Sequence, residues 1–330
     1  MEQYMQQELT DKIIEQAAIL YDADPTTITK IGGFENFVYE YHKNKQDYIL
    51  RFVHSGHRTY DLVLAEIEFI DYLDHHDARV STVVHSIHDK IAEKITINSE
   101  HYFTVSVFEK ARGDLVKNED LTAEFYQMFG REVGKLHRLT KTFNPKHKRP
   151  QWYEENFSDI ANKYLQYDSE IIDLYQQVEA TIKSLPKSID NYGLIHTDLH
   201  FGNMFYDGEK LTFFDFDDSA YKHFLSDIAI IIFYHFRGLD NRHEKYNEKV
   251  RFILHNVMKG YQLENMLDLE FFKHLNEFLL LRSVILYVVM TAAGFDQHEN
   301  PRYREVHAYR REASINNWVA VDLDYVLEGL

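Results

Sequence analysis

Short apolar runs separated by polar turns occupy the first third of the chain, a pattern typical of antiparallel strands. The spacing predicts helices over residues 8–20 and 59–74. Predicted strands lie at residues 28–31, 38–41, 48–53, 91–97 and 102–109. Gly32 and Gly33 follow the first of these strands, where a tight turn is needed. We therefore expect a small, sheet-rich N-terminal lobe.

After residue 113 the apolar positions recur at helical spacing. Helices are predicted at residues 121–139, 159–185, 247–262 and 268–293, with short strand-like runs at 194–195 and 211–214. The predicted fold class is α+β with two lobes. We expect an N-terminal lobe over residues 1–110, a hinge near 108–113 and a large, mostly helical C-terminal lobe over 114–330.

One apolar run, residues 278–295, approaches the length of a membrane span. Arg282 interrupts it, and no second run of that length follows. A shorter apolar stretch at residues 228–236 could pack beside it. The pattern favours a buried core helix and no membrane contact.

The chain of 330 residues carries a formal net charge of −17 and contains no cysteine. An acidic protein repels phosphate backbones, so nucleic-acid binding is not expected. The absence of cysteine excludes disulfides, cysteine-ligated zinc and thiol nucleophiles. Residues 1–9 are polar and have no apolar signal region, which favours a cytoplasmic protein.

The residues with the clearest chemical pattern lie between 194 and 216. Asp198 is followed five positions later by Asn203, and a predicted hairpin then leads to Asp215. Phosphoryl transfer needs a carboxylate for the acceptor hydroxyl and oxygen donors for Mg²⁺, and these three residues are of the required types. Each alone could be an ordinary turn residue. Their joint spacing favours catalysis.

Several segments together resemble the aminoglycoside phosphotransferase and choline kinase-like family, which has the protein-kinase fold. The matching segments are HTDLHFGN at 196–203, FFDFDD at 213–218, IGGFENFVY at 31–39, the helix with GKLHRL at 134–139, and Asp-Ile-Ala at 227–229. The resemblance implies an ATP- and Mg²⁺-dependent kinase of a small hydroxylated molecule. It makes Asp198 the catalytic base and assigns Mg²⁺ to Asn203 and Asp215, with Asp217 either assisting the metal or orienting the loop.

The resemblance also implies a set of nucleotide-binding residues. Gly32, Gly33 and Asn36 correspond to the family's phosphate loop, although a tight hairpin turn is the alternative for the glycines. The backbone of Glu109 and Ala111 is expected at the hinge, paired with adenine. His200 either contacts a phosphate or is a packed loop histidine. A metal pair of His196 and His200 is disfavoured because no third ligand is evident.

Two positions depart from the family pattern. Arg51 stands where the family commonly has the lysine that contacts the α- and β-phosphates, and arginine is not equivalent to lysine. Glu66 shares the apolar face of the predicted 59–74 helix, so its carboxylate needs a partner there, and Arg51 is the expected one. The alternative is that Glu66 lies at the edge of this apolar stripe and reaches solvent. Thr197 replaces a common glycine and is expected to narrow the acceptor site.

Two other functions remain open at this point. Arg51 would also suit a nucleotide-binding pseudokinase that acts as a sensor, and some bacterial relatives phosphorylate serine or threonine in proteins. The short segment between Asp215 and Asp227 leaves little room for a peptide platform. The acidic composition suits a cationic acceptor, but the acceptor's identity and the oligomeric state are not evident from the sequence.

Overall fold

The computed structural model describes residues 3–33, 36–154, 163–165, 168–235 and 240–330. The chain forms two compact units. The first comprises Met1–Leu115, Thr142–Arg149 and Asn203–Asp217, and the second comprises Val116–Lys141, Pro150–Gly202 and Asp218–Leu330. The lobe boundary at 108–113 stays a prediction.

Most described strands precede residue 116 and most described helices follow residue 122, as the sequence pattern predicts in outline. The helices are α1 Gln3–Glu8, α2 Asp11–Leu20, α3 Tyr60–His75, α4 Ala123–Thr140, α5 Ser169–Ser184, α6 Leu225–His235, α7 Tyr246–Tyr261, α8 Leu275–Ala292, α9 Pro301–Ile315 and α10 Leu323–Leu327. The strands are β1 Thr29–Gly32, β2 Phe37–Lys43, β3 Gln46–His54, β4 Val83–Val84, β5 Glu93–Thr96, β6 Tyr102–Glu109, β7 Asp114–Leu115, β8 Tyr192–Ile195, β9 Met204–Tyr206, β10 Leu211–Phe213 and β11 Ala220–His223.

The first unit is built on an antiparallel sheet in the order β1-β2-β3-β6-β4, with β5 also paired to β6. Leu50 and Phe52 of β3 are buried in a cluster with Ala17 of α2 and with Tyr21, which follows that helix. Because side chains alternate across a strand, Arg51 points to the opposite face of the sheet. A second small sheet, β10-β9-β7, belongs to the same unit.

Three predicted helices differ from the structure by more than two residues, and one of them, 268–293, starts with the 3₁₀ helix Leu269–His274 before α8. The predicted 8–20 helix begins later, at Asp11, because Leu9 and Thr10 are not helical and Thr10 is a residue type favoured at N-caps; Glu8 is the last residue of the separate helix α1. Within the predicted 159–185 helix, the regular part begins at Ser169, and residues 159–162 and 166–167 lie outside the described residues.

The second unit is mainly helical and contains the short β8–β11 ribbon, which α4 contacts at β8. Helix α4 lies directly against α7: a Cβ at Gly130 would be 1.9 Å from the carbonyl oxygen of Val257, so only glycine permits this approach. The apolar run predicted as a core helix forms α8, which contacts α5, α6 and α9.

Helix α8 belongs to the one segment of the described chain, Leu269–Ala292, with the length and composition to cross a membrane. Its side chains at Phe278, Leu279, Val284 and Val288 are buried within the second unit, as expected of a core helix. The absence of membrane contact stays a prediction.

Candidate active site

The glycine loop lies between β1 and β2 in the first unit. Gly33 has φ +116°, and a Cβ there would be 1.8 Å from the carbonyl oxygen of Asn36, so the backbone requires glycine. The Asn36 side chain is buried, and its Oδ1 has no hydrogen-bond partner among the described residues. Phe34 and Glu35 of the predicted phosphate loop lie outside the described residues.

Gly33→Ala is expected to destabilise the protein by about 1–3 kcal/mol, because the added Cβ forces a strained backbone. Gly32→Ala is the matched comparison for stability, since a Cβ at Gly32 has no atom within 4 Å. Urea unfolding of both variants measures the difference. Equal stability of the two variants would contradict the strained geometry at Gly33.

Arg51 and Glu66 form the pair that the helical stripe predicts. Arg51 Nη1 and Nη2 donate to the two carboxylate oxygens of Glu66 at 2.7 and 2.8 Å, and both side chains are buried. Burial disfavours the charge of Arg51, but Glu66, together with Asp217 and Asp215, holds the pKa of the guanidinium above its ordinary value. The alternative position for Glu66, at the edge of the stripe and in solvent, is wrong.

The expected hinge follows β6. Glu109 N donates to Thr82 O and Lys110 N donates to Asp47 O, both at 2.9 Å. Ala111 N donates no hydrogen bond to a described residue. A backbone donor at Ala111 is compatible with the predicted adenine contact, which itself stays a prediction.

Asn203 and Asp215 flank the β9–β10 hairpin of the first unit. Phe214 N donates to Asn203 O at 3.1 Å, so the backbone on both sides of the hairpin is held together. Asp215 has φ +63° and an exposed side chain. The hairpin therefore places Asn203 and Asp215 at the same end, while their roles as metal ligands stay predictions.

Asp217 is buried in a cluster of basic groups in the first unit. Its Oδ2 accepts from His57 Nε2 at 2.9 Å and lies 3.6 Å from Arg58 Nε, and its backbone oxygen accepts from Arg149. Burial alone would raise the pKa of Asp217, but His57, Arg58 and Arg51 hold it well below its ordinary value. These contacts favour loop orientation over metal binding for Asp217. No sequence signal identifies His57 and Arg58.

In the second unit, Asp227 of α6 fixes the loop that carries Asp198. Its Oδ1 accepts from Thr197 N at 2.9 Å, and its Oδ2 accepts from His196 N at 3.3 Å and lies 3.2 Å from His137 Nε2. His137 of α4 also contacts the hydroxyl of Tyr261 at 3.0 Å. The sequence motifs include both Asp227 and His137, but the spacing alone gives them no role.

Thr197 shows why a glycine is common at its position. Its φ is +67°, in the left-handed region that β-branched residues rarely adopt. The Thr197 hydroxyl donates to Asp218 O at 2.6 Å, and its amide is held by Asp227. These bonds stabilise the strained conformation, while the predicted narrowing of the acceptor site stays a prediction.

Asp198 contacts basic groups on both carboxylate oxygens. Arg282 Nη2 donates to Oδ1, and His200 Nε2 lies 3.4 Å from Oδ2. Gly202 N donates to His200 Nδ1 at 2.9 Å, so the neutral imidazole carries its proton on Nε2. Burial lowers the pKa of His200; Asp198 opposes this effect and Arg282 adds to it. His200 is therefore a neutral hydrogen-bond donor, which disfavours it as a base.

The site residues are distributed over both units. Asp198 and His200 belong to the second unit. The other predicted site residues belong to the first: Gly32, Gly33, Asn36, Arg51, Glu66, Glu109, Ala111, Asn203, Asp215 and Asp217. Their roles toward nucleotide, metal and acceptor stay predictions from the resemblance.

Sequence comparison identifies relatives over most of the chain. Residues 27–254 match the family model described as "Phosphotransferase enzyme family". Amicoumacin kinase of Bacillus subtilis (strain 168) is 34% identical over 286 residues, which cover 84% of this chain and 83% of that protein.

Comparison with solved structures also identifies kinases that resemble this chain. An amicoumacin kinase in complex with AMP-PNP, Ca²⁺ and Ami has a TM-score of 0.91 and 28% identity, and the alignment covers 98% of this chain and 99% of that one. A microcompartment-associated aminopropanol kinase has a TM-score of 0.70 at 19% identity, with 92% and 95% coverage. These likenesses confirm the predicted protein-kinase-like fold.

Proposed function

The chain belongs to the phosphotransferase enzyme family, and we propose that it transfers the γ-phosphoryl group of ATP, with Mg²⁺, to a hydroxyl of amicoumacin or a closely related molecule. The identity of 34% to an amicoumacin kinase over 84% of the chain is the observation that carries the choice of acceptor. Membership in the family and this relative make the protein a small-molecule kinase. The two other functions left open by the sequence, a sensor and a protein kinase, have no support among these relatives.

On the acceptor side, Asp198 orients the hydroxyl and accepts its proton. A carboxylate within hydrogen-bond reach of the hydroxyl is the usual arrangement for this step, and the loop that carries Asp198 is fixed through Asp227. His200 Nε2–H is suited to donate to an oxygen of the transferred phosphoryl group. These roles divide proton acceptance and charge stabilisation between two side chains of one loop.

On the nucleotide side, Arg51 contacts the α- and β-phosphates while Glu66 fixes its guanidinium. The Gly33 backbone supports a close approach of the glycine loop to phosphate oxygens. The backbone of Glu109 and Ala111 receives adenine. Positioning and electrostatic stabilisation are the main contributions a protein makes to phosphoryl transfer.

Asn203 and Asp215 fit a hard divalent cation by their chemistry, because both offer oxygen ligands at the same end of one hairpin. When bound there, Mg²⁺ would neutralise charge on the nucleotide phosphates. Asp217 holds the loop through its contacts with His57 and Arg149.

The acceptor is tested by ATP consumption with a panel of compounds: amicoumacin, an aminoglycoside, choline, homoserine and thiamine. Charged groups of both signs interact around Asp198, including Arg282, Lys222 and Asp218, so the panel contains cationic and zwitterionic compounds. Mass spectrometry should detect one added phosphoryl group on amicoumacin. If no compound raises ADP release above the rate without acceptor, the proposed function is wrong.

Mg²⁺–ATP is expected to raise the melting temperature by about 4 °C at a hundredfold excess over Kd, because a ligand that binds only the folded state stabilises it by about 2.7 kcal/mol. Asp215→Ala should remove the metal-dependent part of this shift and keep the shift produced by nucleotide alone. Asp207→Ala, in the exposed turn of the same hairpin, is the control. An unchanged metal-dependent shift in Asp215→Ala would contradict the metal assignment.

A further inference from the structure

Arg282 is a charged residue within an apolar run of helix α8. It is the single charged residue in the apolar run of residues 278–295, and it lies in the middle of the core helix α8. Its side chain is only 16% exposed. Because a guanidinium at such a position is costly without an anionic partner, its presence calls for a specific contact.

That contact is Asp198. Arg282 Nη2 donates both to Asp198 Oδ1 and to the hydroxyl of Tyr234, a residue of α6. Burial opposes the charge of Arg282, but Asp198 and Tyr234 hold the pKa of the guanidinium above its ordinary value. All three residues belong to the second unit, where α8 supplies Arg282 and α6 supplies Tyr234 to the loop that carries Asp198.

The contact restricts how the carboxylate can turn. A charge-assisted hydrogen bond from a planar guanidinium fixes one oxygen, and fixing Oδ1 also fixes the plane of the carboxylate and the direction of Oδ2. Tyr234 in turn holds Arg282: the guanidinium carbon lies 5.0 Å from the centre of the Tyr234 ring, which also packs against His200. The loop backbone is fixed separately by Asp227.

We infer that Arg282 is a positioning residue that holds the Asp198 carboxylate in the orientation required to receive the acceptor hydroxyl. This inference rests on the proposed function. Arg282 acts through Asp198, so its removal lowers the rate of transfer without changing the affinity for nucleotide. Displacement of a catalytic group by about 1 Å can reduce a rate about a hundredfold, which sets the scale of the effect.

The test is a double-mutant cycle with amicoumacin as the acceptor. Arg282→Met should lower kcat roughly 10–100-fold, with an unchanged KM for ATP and an unchanged melting shift with Mg²⁺–ATP. In the Asp198→Asn background the same change should have almost no further effect, because the carboxylate it positions is absent. Arg282→Lys, which keeps the charge but not the planar fork, should recover part of the lost rate.

Arg251→Met is the matched control, because Arg251 of α7 binds Glu328 and the backbone of α10, away from Asp198. If Arg282→Met does not fold, the cycle is made with Arg282→Lys. This variant is expected to lower kcat roughly tenfold when Asp198 is present and to have no further effect in the Asp198→Asn background. Wild-type kcat in the Arg282 variant, or an equal loss with and without Asp198, would overturn the inference. If the wild type transfers phosphate to no compound of the panel, the proposed function fails first and the inference fails with it.

Discussion

Asp198→Asn is expected to lower turnover by roughly two orders of magnitude or more, the usual scale of general-base contributions. Asparagine keeps the shape of aspartate, but its amide cannot accept the proton of the hydroxyl. KM for ATP and the melting shift with Mg²⁺–ATP should stay near their wild-type values, because the predicted nucleotide ligands other than His200 belong to the first unit, and Asp198→Asn leaves His200 in place. Steady-state kinetics and thermal melting measure the two effects on the same preparation.

Asp190→Asn is the control for this variant, because Asp190 also lies in the second unit and forms an ion pair with Lys141 at the surface. It should retain wild-type kinetics. Transfer that persists at the wild-type rate in Asp198→Asn would refute the role of Asp198 and would direct the search for a base to other carboxylates. His200 is a poor substitute, because Gly202 already occupies its accepting nitrogen.

The sequence predicts well those parts of the site that depend on elements adjacent along the chain. Asn203 and Asp215 flank one hairpin, so their proximity follows from the turn between β9 and β10. The Arg51–Glu66 pair follows from helical periodicity, since the stripe on α3 places a carboxylate on the buried face and the nearest strand offers one cation. Both arguments need only the geometry of adjacent elements.

The parts that the sequence predicts poorly depend on contacts between distant segments. Arg282 and Asp198 are 84 positions apart, and their pairing depends on how α8 packs in the second unit. His57 and Asp217 are 160 positions apart. A lone charge in an apolar run is a signal for Arg282, but periodicity does not identify the partner. The helical spacing of apolar residues continues across Thr10, so the pattern does not show where α2 begins.

The second large effect concerns the buried pair in the first unit. Glu66→Gln is expected to destabilise the protein by about 3–5 kcal/mol, because it removes the charge that pairs directly with the buried guanidinium of Arg51. Glu68→Gln is the matched control on the same helix, since Glu68 accepts from the backbone amides at residues 146 and 147 and has no buried cation as a partner among the described residues. Urea unfolding gives both values, and a loss below about 1 kcal/mol in Glu66→Gln would contradict the buried geometry.

Arg51→Lys should also destabilise the protein, by less than Glu66→Gln, because a single ammonium cannot match both oxygens of Glu66 as the guanidinium does. If Arg51 serves the phosphates as the family lysine does, this variant keeps the melting shift with Mg²⁺–ATP despite its lower stability. Kinetics of the same variant then report whether lysine supports transfer at this position.

A double substitution separates the structural role of the pair from its functional role. Arg51→Met with Glu66→Leu replaces two buried charges by apolar side chains, a change that is often neutral or stabilising. We expect this variant to recover most of the stability lost in Glu66→Gln and yet to show a much smaller melting shift with Mg²⁺–ATP, because the cation that receives the phosphates is absent. A full nucleotide shift in the stable double variant would mean that Arg51 and Glu66 only support the fold, and that another cation binds the α- and β-phosphates.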